Sequence, residues 1–248
     1  MNKKVKLGFL LFFAITPFFC ILLDVVMVII QPTEINETVN QNLFDITIAS
    51  ETIYFSIWTS ILTIVWGICS VINYFRKPSN KIRWAESEHV LTMIISYQFL
   101  VMLVYTGTIL FANDKIEGMN CWYNILKSIL EHWIVPIAII GFYFYIPREV
   151  KMKTKDYMKK VGWKNCILPL IYIIYITFRA GMIKHYIEYS KTPEENIYQI
   201  FPYKGGNPFV DKVYIWLPGY LVTATSGLIF GTLFNYLSIK TTNKIWKK

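Results

Sequence analysis

The chain has 248 residues, 54% hydrophobic and 17% charged, with 25 Lys and Arg against 16 Asp and Glu for a formal net charge of +9. Together with a mean hydropathy of +0.40, apolar runs of about 20 residues or more exclude an ordinary soluble domain, whose apolar stripes alternate with polar faces. The positive charge does not point to nucleic acid, because no aromatic-basic platform or recognition motif accompanies it.

Hydropathy predicts an all-α bundle of six transmembrane helices forming one domain over 1–248, with spans at about 7–31, 52–75, 89–112, 125–146, 165–186 and 213–239. Span 1 follows Lys3, Lys4 and Lys6, as a signal peptide would. Its apolar part is too long for one and no small-x-small site follows, so it is expected to stay in place. It carries Asp24 about seven residues from its far end. The loop after it holds the sequon "NET" at Asn36.

Span 2 reads "TIYFSIWTSILTIVWGICSVINYF", and Ser56, Thr59, Ser60, Thr63, Gly67 and Ser70 fall on one helical face. Small hydroxyl residues in such a stripe let helices approach and hydrogen-bond across. The functional reading makes one hydroxyl near the start of the span a nucleophile or ligand. Span 3 brings His89 near its beginning and Gln98 near its middle.

Span 4 contains "LEHWIVPIAII", with His132 about two turns deep and Glu131 expected at the interface. Pro136 frees the carbonyl of His132 and is expected to kink the helix there. Span 5 carries Tyr172, Tyr175 and Arg179 on one face. The Tyr hydroxyls either line a cavity or anchor helices. Asp211 stands just before span 6.

The basic residues alternate by loop. They lie in the N-terminal segment, at Arg76, Lys77, Lys81 and Arg83, in "REVKMKTKDYMKKVGWK" from Arg148 to Lys164, and at the C-terminus, which together hold eighteen of the 25. The intervening loops hold acids such as Glu34, Glu37, Asp45, Asp114, Glu117, Glu194 and Glu195. The positive-inside rule then predicts a plasma-membrane protein with both termini cytoplasmic. The basic loop after span 4 is suited to contact anionic headgroups, so membrane lipids are the expected partners and nucleic acid is not.

The four cysteines, Cys20, Cys69, Cys121 and Cys166, have no CxxC spacing, and His89, His132 and His185 fall on three spans. Neither a disulfide framework nor a metal site is expected, and no cofactor is implied. No internal repeat of the kind found in many transporters is legible. The richness in Ile, Lys, Asn, Phe and Tyr suggests an AT-rich bacterial genome.

Asp24, Ser56, His132, Arg179 and Asp211 all fall within roughly the outer 10 Å of the hydrocarbon, at 1.5 Å per helical residue. Ionisable groups there are costly unless paired or wetted. A shared polar cavity opening outward accounts for the set, with Asp24 or Asp211 as counter-ion to Arg179 and His132 facing the span 2 hydroxyls. The plainer alternative makes His132 a structural histidine between helices and Arg179 part of a structural ion pair.

Four segments resemble a bacterial six-span membrane family related to the androgen-induced-protein hydrolases, which cleave fatty acid esters of hydroxy fatty acids. "PLIYIIYITFRAG" at 169–181 resembles its Pro-Leu-x-Tyr-x-x-Tyr-Thr-x-x-Arg-Gly signature, and "HWIVP" at 132–136 its His-x-x-x-Pro segment. "YFSIWTSIL" at 54–62 resembles Tyr-Phe-Thr-x-x-Ser-Asn-x-Leu, and "NPFVD" at 207–211 resembles Tyr-Pro-Phe-Leu-Asp. The resemblance implies a lipid-ester substrate, Ser56 as nucleophile in place of a Thr, and His132 as general base. Ser60 stands where the family has Asn. Thr59, Ser60, Tyr172, Tyr175, Arg179, Asp24 and Asp211 complete the expected polar cluster. Two other functions fit the same residues: a proton-coupled or small-molecule transporter using Asp24, His132 and Arg179 as its ion path, and a non-catalytic membrane scaffold. Nothing in the sequence fixes the oligomeric state.

Overall fold

The computed structural model describes residues 2–30, 52–111, 118–119, 121–146, 152–190, 201 and 206–245. The sequon at Asn36, the loop acids Glu34, Glu37, Asp45, Asp114, Glu117, Glu194 and Glu195, and Arg148 lie outside them.

Helix α1 runs Lys3–Ile30 and α2 Phe55–Phe75. A 3-10 turn at Pro78–Asn80 and the short α3, Arg83–Glu86, lead into α4, Glu88–Phe111. Span 4 comes in three pieces: α5 Trp122–Ile129, a π-helical turn Leu130–Ile134, and α6 Val135–Tyr145. The amphipathic α7, Thr154–Lys160, and a 3-10 segment Gly162–Cys166 precede α8, Ile167–Ser190, and α9 is Val213–Ile245. No strand occurs among the described residues. Many of these segments are rich in Ile and Val, which favour strands in water. In hydrocarbon each N–H and C=O must be satisfied within its own segment, and the helix is the form that does so.

Among the described residues, six segments are long and apolar enough to cross a membrane: Lys3–Met27, Phe55–Phe75, Glu88–Phe111, Trp122–Tyr145, Gly162–His185 and Val213–Thr241. They fall within a few residues of the predicted spans. The end of the bundle at which α1 begins and α2, α6 and α9 finish is the terminal end. Ile15, Phe18, Leu22, Ile61, Val65, Ile68, Ile174 and Val222 are exposed on the outside, as a lipid-facing surface requires.

Among the described residues the interior shows two apolar cores. Leu10, Phe13, Trp66, Ile94, Ile95, Ile139, Phe142 and Phe234 pack toward the terminal end. Phe55, Tyr97, Leu100, Tyr172, Ile176 and Ala180 pack toward the other. The span 2 stripe faces inward, with Thr59, Ser60, Thr63 and Ser70 all buried. Gly67 on that stripe lets α1 come close: a Cβ there would lie 2.8 Å from the backbone nitrogen of Ala14.

The basic loop after span 4 is partly built into the bundle. Tyr157 of α7 is fully buried, and its hydroxyl accepts a 3.0 Å hydrogen bond from Asn165 Nδ2. The same amide donates to the Gly227 carbonyl at 3.3 Å, while the Asn165 carbonyl accepts from the Tyr97 hydroxyl at 2.8 Å. Asn165 thus ties α4, α7 and α9 together, and Gly227 and Gly231 leave room for it. A Cβ at Gly227 would lie 2.1 Å from the Asn165 carbonyl oxygen.

Candidate functional site

A buried polar group lies toward the end opposite the termini, between α1, α2 and span 4. Pro136 shapes it. Lacking an N–H, Pro136 cannot donate to the carbonyl of His132, and the helix widens just before it. The Val135 N–H bonds the Leu130 carbonyl, five residues back. The expected kink is therefore a π-helical turn, and that turn carries both Glu131 and His132.

Glu131 is 2% exposed, where an interfacial residue was expected. It points to α2. The Ser60 hydroxyl donates to its Oε1 at 2.9 Å, and its Oε2 has no hydrogen-bond partner. Ser56, one turn nearer the membrane surface and partly exposed, also interacts with this carboxylate. Lys127, four residues before Glu131, pairs with Asp24 of α1, and this ion pair lies within electrostatic range of Glu131. Cys20, fully buried one turn before Asp24, completes the wall from α1.

His132 faces another way. Its ring stacks on Tyr105 of α4, with centroids 3.9 Å apart and planes at 18°. Beside it, Trp133 Nε1 donates to the Thr106 hydroxyl at 3.0 Å. Where the sequence suggested His132 against the span 2 hydroxyls, Glu131 takes that place. The His132 Nδ1 is buried and without a hydrogen-bond partner.

Thr59 turns back on its own helix, donating to the Ser56 carbonyl at 2.9 Å. Thr63 does the same to the Thr59 carbonyl at 2.8 Å and accepts from Gln98 Nε2 at 2.9 Å. These bonds absorb hydroxyls that would otherwise be unsatisfied in hydrocarbon.

The remaining residues form a separate group on α8. The Tyr172 hydroxyl donates to the Ile53 carbonyl at 2.6 Å, and the Tyr175 hydroxyl bonds the Thr52 hydroxyl at 2.5 Å. Both tyrosines therefore anchor α8 to the entrance of α2. Arg179 lies one turn further along α8, half-buried. The counter-ion expected from Asp24 goes to Lys127 instead. Asp211 closes its own loop, its Oδ2 accepting from the Asn207 N–H at 2.9 Å, and Phe209 from that loop packs on Gly181 of α8. The structure thus divides the expected outer cluster into a carboxylate group on spans 1, 2 and 4 and an anchoring group on span 5 and its neighbours.

Sequence reasoning passed over Lys127 and undervalued Glu131. Their spacing of four residues, facing an Asp on another span, was the available signal. Among the described residues, no group of three His, Cys, Asp or Glu is placed to hold a metal ion.

Six apolar helices with polar groups buried between them define a multi-pass integral membrane protein. Comparison with known protein families, curated proteins and solved structures gives no match.

Proposed function

We propose that this membrane protein hydrolyses a lipid ester, with its site in the outer leaflet and both termini in the cytoplasm. One observation carries the reading: a buried carboxylate, Glu131, faces two serine hydroxyls of span 2, bonded to Ser60 at 2.9 Å and with its other oxygen open. A hydroxyl within hydrogen-bond reach of a base is the arrangement nucleophilic acyl transfer needs. The resemblance of four segments to the fatty-acid-ester hydrolases supports the same chemistry, and the basic residues gathered at the terminal end support the orientation.

Ser56 is the nucleophile in this proposal, since it is partly exposed while Ser60 is 1% exposed. Its oxygen attacks the ester carbonyl as its proton passes to the base, and the base returns that proton to the leaving alkoxide. Water then attacks the acyl-serine, the base takes a proton from it, and the fatty acid leaves as the serine hydroxyl is restored. Glu131 is the base in contact with the hydroxyls. His132, the next residue, faces Tyr105 instead, with Nδ1 open. Ser60 positions Glu131.

Labelling of the purified protein with a lipid-like fluorophosphonate tests this. Wild type labels, Ser56→Ala does not, and Ser60→Ala keeps partial labelling. Loss in Glu131→Gln with retention in His132→Ala assigns the base to Glu131, and the reverse pattern assigns it to His132. A well-folded wild type that takes no label overturns the hydrolase.

A second reading, proton-coupled transport, is favoured by Gln98. It is buried mid-span at 1% exposure, with Oε1 unpartnered, and its Nε2 donates to Thr63 on the polar stripe that carries Ser60. Proton flux into proteoliposomes that is lost in both Glu131→Gln and Gln98→Leu would support it.

A further inference from the structure

A second site lies at the terminal end, away from Glu131. A cleft of about 410 Å³ opens between the start of α1, the end of α2, α3 and the end of α6. Lys3, Lys6 and Lys81 line its mouth, and Leu10, Trp66, Phe142 and Ile146 its apolar interior. Ser70, only 7% exposed, also lines it, and its Oγ has no hydrogen-bond partner. Asn73 and Trp66 are already engaged, donating to the Ile82 and Ala85 carbonyls at 2.9 and 3.1 Å. Ser70 is therefore a buried polar group of the lining that is left without a partner.

The cleft sits at headgroup depth. Helix α1 begins at Lys3, α2 ends at Phe75 and α6 at Tyr145, while Phe75 and Trp84 are exposed beside it as interfacial aromatics. A wall that is charged at the mouth and apolar inside matches an amphiphile. The charge selects its sign. Glu86 is taken up by Lys81 at 3.0 Å, which leaves Lys3 and Lys6 against Glu88. Lys4, Arg76, Lys77 and Arg83 are exposed at the same end and add only positive charge.

We propose that this cleft binds an anionic phospholipid of the adjoining leaflet. Its phosphate lies between Lys3 and Lys6, and the first part of an acyl chain lies along Leu10, Phe142 and Ile146. A hydrogen-bond acceptor on the glycerol backbone takes the Ser70 hydroxyl. Basic pockets between transmembrane helices recognise headgroups in this way. The site is independent of the hydrolase reading and stands whether or not that reading holds.

Native mass spectrometry of detergent-purified protein with added phosphatidylglycerol or phosphatidylcholine of matched chains tests it. Wild type retains phosphatidylglycerol several-fold more than phosphatidylcholine. Lys3→Gln/Lys6→Gln drops that retention to the phosphatidylcholine level, as does Ser70→Leu, which fills the cleft. Lys159→Gln/Lys160→Gln, two exposed lysines of α7 at the same end, leaves the preference for phosphatidylglycerol largely in place. Equal retention of the two lipids by wild type overturns the proposal, and so does equal loss in the two Lys pairs. Complete displacement of phosphatidylglycerol by millimolar inorganic phosphate would also overturn it, assigning the site to a soluble phosphate.

Discussion

Lys127 crosses from α5 to Asp24 on α1 and pairs with it inside the bundle, the two side chains 16% and 4% exposed. The pair explains how an aspartate lies inside a transmembrane helix. Each charge is the other's counter-ion, so neither has to be neutralised or dragged to the surface.

Removing one partner strands the other. Asp24→Asn or Lys127→Met alone is expected to cost about 3–5 kcal/mol, while Asp24→Leu/Lys127→Met together recover most of it. Unfolding titrations in detergent give the coupling directly. Single losses that simply add in the double variant would mean that the two charges do not depend on each other.

The six spans were legible because they rest on a bulk property. Hydrocarbon demands about 20 apolar residues per crossing, and the sequence meets that demand six times. The inward stripe of span 2 was legible for a similar reason, since Ser56 to Ser70 keeps a helical period. The site was less legible because it depends on a register shift. A regular helix through "LEHWIVP" would point its side chains differently from one carrying a π-helical turn, and one inserted position decides whether Glu131 or His132 meets α2. The Pro was visible, but the direction it turns its neighbours was not. Asn165 was invisible for another reason: it acts through its backbone carbonyl as much as its side chain, and nothing in a run of letters marks that.

The π-helical turn should depend on Pro136. Pro136→Ala restores an N–H that can bond the His132 carbonyl and lets the helix run regularly through 130–134. Glu131 then rotates off Ser60. The readout is cross-linking of Ser60→Cys with Glu131→Cys in a background carrying Cys20→Ala: efficient with Pro136 in place, several-fold weaker once Pro136→Ala is added. Equal yields would show that packing, rather than the proline, holds the turn.

Two glycines should tolerate no methyl. At Gly67 the new Cβ meets the α1 backbone at 2.8 Å, and at Gly227 it meets the Asn165 carbonyl oxygen at 2.1 Å. Backbone cannot swing aside as a side chain can, so the helices must part. Gly67→Ala is expected to cost about 1–3 kcal/mol, and Gly227→Ala more. Gly141→Ala, with nothing within 4 Å of its added carbon, is the control. Thermal stability in detergent should rank Gly141→Ala nearest wild type and Gly227→Ala lowest.

His132 separates structure from chemistry. Its stack on Tyr105 needs a flat ring, not a nitrogen. His132→Phe keeps a ring of similar size and should retain stability to within about 0.5 kcal/mol, whereas His132→Ala loses the stack, worth about 0.5–1.5 kcal/mol, together with the buried area. Activity divides the other way if the imidazole moves protons: both variants fall equally, by about 10²–10⁴-fold for a lost general base. If Glu131 is the base, His132→Phe keeps near-normal labelling and His132→Ala loses only what its instability removes. Measuring both quantities on the same two variants therefore decides between a histidine that packs and a histidine that works.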